Sequence, residues 1–306
     1  MKKLEEAIRQ NTQIHYNLLM SNIIIHSLIK EEDKQILLLL LQDRDRNYVR
    51  INHNQQCLEN IQKYLEILQP IKVAYEDLVR VGGKGDGGYV MYKPNLLCSS
   101  GGGGIPLNEV KAISLGVSES SPWDLEMAQR GYQVVEYDGS IEQCPYNHPN
   151  IAFHKRFVGV GENCISLSSI IEDNHLKKMA NILQVDIENA EWEVLEQVDL
   201  ALVAEYFTQV IFEFHGCNPE EDEGAKRRLK VLEKINEYYE PIHLHFNNHG
   251  KIFYSQGLFF GTTLEVSYMK KGEIPFSKEK VVEGILEGLD YPNHPSNPEI
   301  PIYFKE

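Results

Sequence analysis

From about residue 112 the chain alternates short apolar runs with helical stretches, and no other feature narrows the fold as much. Runs of strand length lie at Ala112–Leu115, Gln133–Tyr137, Ile151–His154, Ile182–Val185, Val210–Phe214, Ile242–Phe246 and Leu258–Tyr268. Stretches of helical character separate the early runs, notably Pro122–Arg130 and Glu191–Val198, and a strongly charged one, Glu221–Tyr239, follows His215. A helix between consecutive strands returns the chain to the same edge, so such strands pair in parallel. The last two runs are separated only by Asn247, Asn248, His249, Gly250 and a short stretch, which predicts an antiparallel hairpin at the sheet edge. The expectation is an α/β domain over residues 112–272, with a seven-stranded, mostly parallel sheet ending in that hairpin.

Upstream the pattern differs. Counting a heptad from Leu4 places Leu4, Asn11, Leu18 and Ile25 at one seam position and Ala7, Ile14, Ser21 and Leu28 at the other. Six of these eight are apolar, the pattern of a long amphipathic helix. Ile51, Leu58 and Leu65, with Asn54, Ile61 and Leu68, repeat it until Pro70 stops the helix. Neither stretch clusters catalytic residue types, so residues 1–70 read as a coiled-coil-like segment, either packed on its own domain or forming a homodimer in which Asn11 sets the register. Residues 71–111 are expected as a Gly-rich lid or entry segment, and residues 273–306, with Pro292, Pro295, Pro298 and Pro301, as an extended surface tail.

Composition limits the partners. The 45 Asp and Glu outnumber the 30 Lys and Arg, for a net charge of -15 with histidines neutral, and no basic stripe is segregated from the acids. A phosphate backbone is repelled by such a chain, so no nucleic-acid partner is expected. The longest apolar run, Ile36–Leu41, has six residues where a membrane span needs about 20. Lys2 and Lys3 are followed by Leu4 and then Glu5 and Glu6, which is no signal-peptide core, and the chain is expected in the cytoplasm. Five cysteines without a CxxC pair suit reduced thiols rather than a zinc site or disulfide framework.

The strand ends carry the chemistry. The first run leads through Ser114 and Leu115 to Gly116, then to Ser121 as N-cap, Pro122 at the first helical position, Asp124 completing a capping box, and Gly131 closing the helix. The amide end of that helix faces the loop and can receive a carboxylate or phosphate. A dinucleotide turn needs three glycines and only Gly116 is present, which weighs against hydride transfer with a nicotinamide cofactor. Asp138 ends the second strand, 22 residues beyond Gly116, a position suited to a carboxylate that accepts the ribose hydroxyls of a nucleoside cofactor. The fourth strand delivers Asp186 and Glu188 to the same edge, with Asn189 able to cap the next helix, and the fifth delivers Glu213 and His215 on one side. Gly82, Gly83, Gly85, Gly87 and Gly88, interleaved with Arg80, Lys84 and Asp86, form either a loop over the ligand, with Arg80 or Lys84 meeting a phosphate, or a tight hairpin with positive φ. Ser99–Gly104 carries no charge and reads as a linker or flap.

Together, Ser114-Leu-Gly116, Tyr137-Asp138, Asp186-Ile-Glu-Asn-Ala-Glu-Trp-Glu-Val-Leu195 and Glu213-Phe-His215 resemble the FkbM-like and related methyltransferase-like families of S-adenosylmethionine-dependent O-methyltransferases. Leu78-Val-Arg80-Val-Gly-Gly-Lys-Gly-Asp86-Gly-Gly-Tyr89 resembles their signature just upstream, and the similarity covers about residues 75–268. The chain departs from the family pattern at Asn189 and Ser118, where glycine is common. The resemblance implies a Rossmann-like Class I methyltransferase fold. In it Asp138 holds the ribose, the Gly116 loop with Ser118 lies along the methionine part, and Asp86 and Asp186 complete the cofactor site. It also implies that Asp186 lines the methyl-transfer site and that Arg80, Lys84, Tyr89 and Glu188 face the substrate. His215 is the leading general base, because imidazole titrates near neutrality, with His243 and His245 as alternatives. Asp186, Glu213 and His215 form a donor set that suits a divalent cation, magnesium or manganese.

The reaction implied is methylation of a sugar hydroxyl, free or nucleotide-linked, in the assembly of a capsule or other surface polysaccharide or related glycan. Two alternatives stand beside it, a nucleotide-sugar oxidoreductase on the same kind of sheet and a non-enzymatic oligomeric scaffold with a methyltransferase-like fold.

Overall fold

A computed structural model describes residues 18, 30, 33, 34, 49–94, 109–178, 180–273 and 279–304 of the chain. The heptad pattern over Leu4–Leu28 and the Ser99–Gly104 segment lie outside the described residues, apart from Leu18. The chain divides into two compact units, residues 1–51 and 52–306. In the first, Val49–Ile51 form a short strand. Everything that follows concerns the second.

Helix α1, Gln55–Leu68, starts where Asn54 accepts a hydrogen bond from the Gln56 amide. Its Leu58, Ile61, Leu65 and Leu68 recur at helical spacing and are buried, and the helix packs against α6 (Asp222–Asn236). This second amphipathic stretch therefore lies on the α/β unit itself. Next comes an antiparallel pair, β1 (Leu78–Val81) and β2 (Tyr89–Tyr92), joined by the Gly-rich loop.

The main sheet is built from β3 (Lys111–Leu115), β4 (Gln133–Tyr137), β5 (Ile151–His154), β8 (Asn181–Val185), β9 (Phe207–Phe214), β10 (Tyr239–Phe246) and β13 (Leu264–Lys270). Its order is β10-β13-β9-β8-β3-β4-β5. The β3, β4, β5, β8 and β9 pairings are all parallel, while β13 runs antiparallel to both β9 and β10. The sequence placed all seven strands and erred at the last one. Leu258–Tyr268 is two strands, because β12 (Leu258–Gly261) pairs with β11 (Ile252–Ser255) in a separate hairpin before β13 enters the main sheet. β13 then pairs antiparallel with β10 at the sheet edge, as expected, and its other side pairs with β9. A further parallel pair, β6 (Phe157–Val158) and β7 (Cys164–Ile165), follows β5.

Helix α2 (Pro122–Gln129) and the β1–β2 pair cover one face of the sheet, where Trp123, Met127, Val81 and Tyr89 pack on Ala112, Val134, Ile182 and Ile211. Helices α3 (Leu167–Asp173), α4 (Glu191–Gln197), α5 (Leu200–Tyr206) and α6 supply the remaining helical packing, with Trp192 of α4 stacked on Phe214 at 4.7 Å. The tail does not run along the surface as expected. Ile300, Ile302 and Phe304 alternate with other residues and bury their side chains, while Asp290 and Asn293 become buried partners of the sheet.

Two helix starts also differ from expectation. Ser121 makes no side-chain cap, and Asp124 turns into the core, where Ser114 bonds it. Asn189 is not the cap of α4 either, for Ala190 occupies that place and Asn189 adopts a left-handed conformation at φ 76°.

Candidate functional site

The carboxyl ends of β3, β4 and β8 open into a cavity of about 770 Å³. Its walls are the Gly116–Ser121 loop, the Tyr137–Ser140 turn, the Phe157–Val160 segment, Asp186–Glu188 and, from the Gly-rich loop, Asp86, Gly87 and Tyr89. This is the crevice in which open α/β sheets hold ligands.

Gly116 is required here by geometry. Its φ is +83°, and a Cβ at this position would lie 1.6 Å from the Asp186 carbonyl oxygen. The chain must turn at that point, since Gly116 N–H donates to Tyr137 O at 2.9 Å and Asp186 N–H to Leu115 O at 2.8 Å. Asp138 secures the loop. Its Oδ2 accepts the amides of Val117 (2.9 Å) and Ser118 (2.8 Å), and its Oδ1 accepts the amide and hydroxyl of Ser140 (both 2.6 Å). Burial opposes ionisation, but these bonds lower its pKa on balance. Gly139 lets the Phe157 ring lie flat on the turn, 2.4 Å from where a Cβ would stand. Phe157, 56% exposed, and Val160, 42% exposed, give this end of the cavity an apolar wall. Phe157 sits in a two-residue strand and Val160 in the bend after it, neither with any periodicity for sequence reasoning to read.

Behind Asp186 and Glu188 of the cavity wall, His215 is held by Glu191. The Glu191 carboxylate, fully buried, meets His215 Nδ1 at 3.0 Å and accepts the Ile187 amide at 3.0 Å. The Trp192 indole N–H donates to the His215 carbonyl at 2.7 Å. That leaves Nε2 facing Glu188 (3.6 Å), Glu213 (3.7 Å) and Asp186 (3.8 Å). Burial opposes protonation of His215, yet the Glu191 bond and the neighbouring carboxylates raise its pKa overall. Burial raises those of Asp186 and Glu213. The buried Oδ1 of Asp186 has no hydrogen-bond partner. Asp186, Glu213 and His215 can present one ligand atom each within 4.8 Å of one another, as can Asp86, Glu213 and Glu265. Glu191 and Trp192 stood in the sequence motif, but only the fold shows that they orient the imidazole.

Several expected site residues do other work. His245, weighed as a catalytic base, is 1% exposed with Nδ1 on Glu265 (2.9 Å) and Nε2 on Glu299 (2.8 Å), so neither nitrogen is free to take a proton from a ligand. His243 is likewise buried, 3.0 Å from Asp290. Arg80 does not reach out to a phosphate. It donates to the carbonyls of Gly83 (2.6 Å), Gly85 (2.7 Å) and Leu289 (3.3 Å), fastening the Gly-rich loop and the tail. The Lys84 ammonium lies 4.8 Å from the centre of the Tyr291 ring. Tyr89 lines the cavity, and its hydroxyl donates to Glu213 Oε2 at 3.0 Å. Asp86 is exposed on the cavity wall and accepts from Asn247 (3.3 Å) and Asn293 (3.2 Å). Glu188 and Ser118 line the cavity with positive φ, 53° and 58°.

Comparison with known proteins agrees with this geometry. Residues 114–253 match the methyltransferase FkbM domain. The probable methyltransferase-like protein 24 of Rattus norvegicus is 29% identical over 145 residues, covering 40% of this chain and 39% of the relative. The Homo sapiens protein of the same description is 30% identical over 125 residues, covering 35% and 33%. The chain thus spans well under half the length of these curated relatives. A SAM-dependent methyltransferase from Agrobacterium tumefaciens overlaps 65% of this chain and 72% of its own, at 12% identity and a TM-score of 0.30, too low to carry an argument. The matched residues, which include the Gly116 turn, Asp138, Asp186 and His215, are those in which the chain is similar to the FkbM methyltransferase domain.

Proposed function

We propose that the protein is an S-adenosylmethionine-dependent O-methyltransferase acting on a sugar hydroxyl in glycan assembly. The observation that carries the reading is the pairing, at one sheet edge, of a glycine-turned cradle anchored by Asp138 with an imidazole oriented by Glu191. Bound S-adenosylmethionine supplies an activated methyl group on a cationic sulfonium. The residues present fit that cofactor. The Gly116 loop and Asp138 would hold the methionine and ribose parts, Phe157 and Val160 offer an apolar wall to the base, and Asp186, with an unpartnered buried oxygen, places negative charge where the cation would lie.

What remains for this chain is to align an oxygen and take its proton. His215 Nε2 faces the cavity carboxylates while Nδ1 is fixed on Glu191, the arrangement of an oriented general base. Asp86, Asp186 and Glu188 line the acceptor end as hydrogen-bond acceptors, which suits a hydroxyl-rich ligand. Among the described residues the cavity lining includes six carboxylates and no Lys or Arg, and His215 stands behind two of them, Asp186 and Glu188. A phosphate about 4 Å from one such carboxylate would meet a repulsion of about 4 kcal/mol at an effective dielectric of 20. The engaged state of Arg80 and Lys84 points the same way, so an acceptor uncharged near the reacting hydroxyl is favoured over a nucleotide-linked one.

The Asp186, Glu213 and His215 donor set favours a second reading, in which a divalent cation orients the acceptor diol and His215 is a ligand rather than a base. Calorimetry with magnesium or manganese on the chelator-treated protein separates the two, since no heat of binding leaves His215 as the base. Calorimetry with S-adenosylmethionine and with NAD tests the main proposal. The first should bind and the second should not, Asp138→Ala should abolish binding, and a protein that binds neither ligand is not a methyltransferase. Mass spectrometry of candidate glycans then reads the methyl gained.

A further inference from the structure

The face of the sheet under α2 and the β1–β2 pair carries a row of polar side chains where apolar ones are the rule. Glu136 on β4 and Gln184 on β8 stand in register on either side of Ser114 on β3. Asp124 descends on them from the first turn of α2. Ser114, Asp124 and Glu136 are fully buried and Gln184 is 4% exposed. Buried polar groups are tolerated when each finds a partner, and here Asp124 Oδ1 and both Glu136 oxygens have none, which disfavours charge on these carboxyls.

The links run in one direction. Ser114 Oγ lies 3.0 Å from Asp124 Oδ2 and 3.0 Å from Gln184 Oε1. A serine hydroxyl has a single proton, and here two oxygens compete for it. Both contacts are hydrogen bonds only if one neighbour donates, and a carboxyl can do so by carrying a proton. Asp124 then donates to Ser114, and Ser114 donates to the Gln184 carbonyl. The Gln184 amide is thereby directed at Tyr89 Oη, 3.3 Å away, and the Tyr89 proton goes to Glu213 Oε2 at 3.0 Å. Were Asp124 ionised, Ser114 would turn to it. The Gln184 amide would have to turn over to replace the lost donor, and the Tyr89 proton would be drawn to the Gln184 carbonyl and away from Glu213. Burial, reinforced by the charge of Glu136 and opposed by the Ser121 and Ser114 hydroxyls, pushes the Asp124 pKa well above the usual carboxylate range, which supplies the proton that the first arrangement needs.

We infer that Asp124 is a positioning residue for the acceptor end of the site: by donating to Ser114 it sets the direction of a hydrogen-bond chain, through Gln184 and Tyr89, that fixes Glu213 beside His215. Neither Asp124 nor Ser114 lines the cavity, so both act on it only through the chain. With Tyr89 on Oε2 and Asn247 on Oε1 at 2.8 Å, Glu213 is held from both sides, 3.7 Å from His215 Nε2. Loss of the first donor frees one of those sides. The role in methyl transfer rests on the function proposed above, but the chain itself does not.

The test uses the full-length protein with tyrosine labelled by ¹³C at Cζ, a nucleus sensitive to whether the phenol donates or accepts. Tyr89→Phe identifies the Tyr89 signal. Asp124→Asn keeps a donor in place and should leave the signal where it is in the wild type. Asp124→Leu and Ser114→Ala remove the first and second links, and each should shift it, although neither residue touches Tyr89. Ser114→Ala deletes a single hydroxyl, and so serves if Asp124→Leu does not fold. A Tyr89 signal that moves as far in Asp124→Asn as in Asp124→Leu, or that stays put in Ser114→Ala, overturns the inference. Calorimetry of S-adenosylhomocysteine on the same samples reports the cofactor end separately. If the wild type fails to bind it, the methyltransferase reading falls while the resonance data still decide the chain.

Discussion

Replacing Gly116 by alanine is the sharpest test of how the turn after β3 is built. Two costs arise. At φ +83° an L-residue is disfavoured by about 1–2 kcal/mol. The added Cβ would also stand 1.6 Å from the Asp186 carbonyl oxygen and 2.7 Å from its carbon, backbone atoms that cannot swing aside. Relief requires the ends of β3 and β8 to part, which strains the Asp186 N–H to Leu115 O bond across them. Overpacking of this kind costs about 1–3 kcal/mol, and a weakened hydrogen bond about 1 kcal/mol more. The sum, about 3–6 kcal/mol, is a large part of the roughly 5–15 kcal/mol that holds a typical domain folded. Urea denaturation should show a much lower midpoint for Gly116→Ala, and calorimetry should show loss of S-adenosylmethionine binding, because Asp186 and the 117–118 amides move together. Gly83→Ala is the control. Its φ is +79° but nothing lies within 4 Å of the new Cβ, so it should lose only the conformational part, about 1–2 kcal/mol. If the two variants unfold at the same urea concentration, the close approach of the two strand ends is not what requires glycine at 116.

Further expectations concern the other end of the site and the buried acids. His215→Gln should lower methyl transfer by about 10²–10⁴-fold while S-adenosylmethionine still binds in calorimetry, and equal loss of both would show that His215 supports the cofactor instead. Glu188→Gly should raise the urea midpoint, by about 0.5–1 kcal/mol of stability, because it relieves a left-handed glutamate at φ 53°, and Asn189→Gly should gain less because asparagine tolerates that region. Asp124 has its pKa raised by burial, so its contribution to stability is complete below the unfolded value of about 3.9 and is lost as pH rises toward the folded one. Asp124→Asn should therefore be more stable than the wild type at pH 8, with the difference shrinking toward pH 4 in urea titrations, and a difference that grows on acidification would contradict a neutral Asp124.

The α/β sheet was legible because its information is local. Apolar runs of four or five residues with helices between them predict parallel strands, and six such runs, with the second half of a longer seventh, found their places in the sheet. Gly116, Asp138, Asp186 and His215 were legible for the same reason, since strand ends sit at one edge of a parallel sheet whatever the loops do. The exceptions are all long-range. Nothing in the local pattern around Leu258–Tyr268 says that the run breaks at Thr262–Thr263 and that its second half enters between two earlier strands.

Charged residues were legible in position but not in duty. Arg80 and Lys84 looked like substrate contacts, yet the loop and tail take their donors and charge. His245 looked like a base until Glu299, 54 residues later, closed its second nitrogen. The sequence by itself therefore determined where the strands lie along the chain and which residues reach the carboxyl edge of the sheet, because backbone periodicity and turn chemistry act over a few residues. Only the tertiary structure decided which of those residues are free to meet a ligand. Burial and hydrogen-bond pairing depend on segments far apart in the chain, such as Glu191 with His215, Asp124 with Ser114, and the tail with β10.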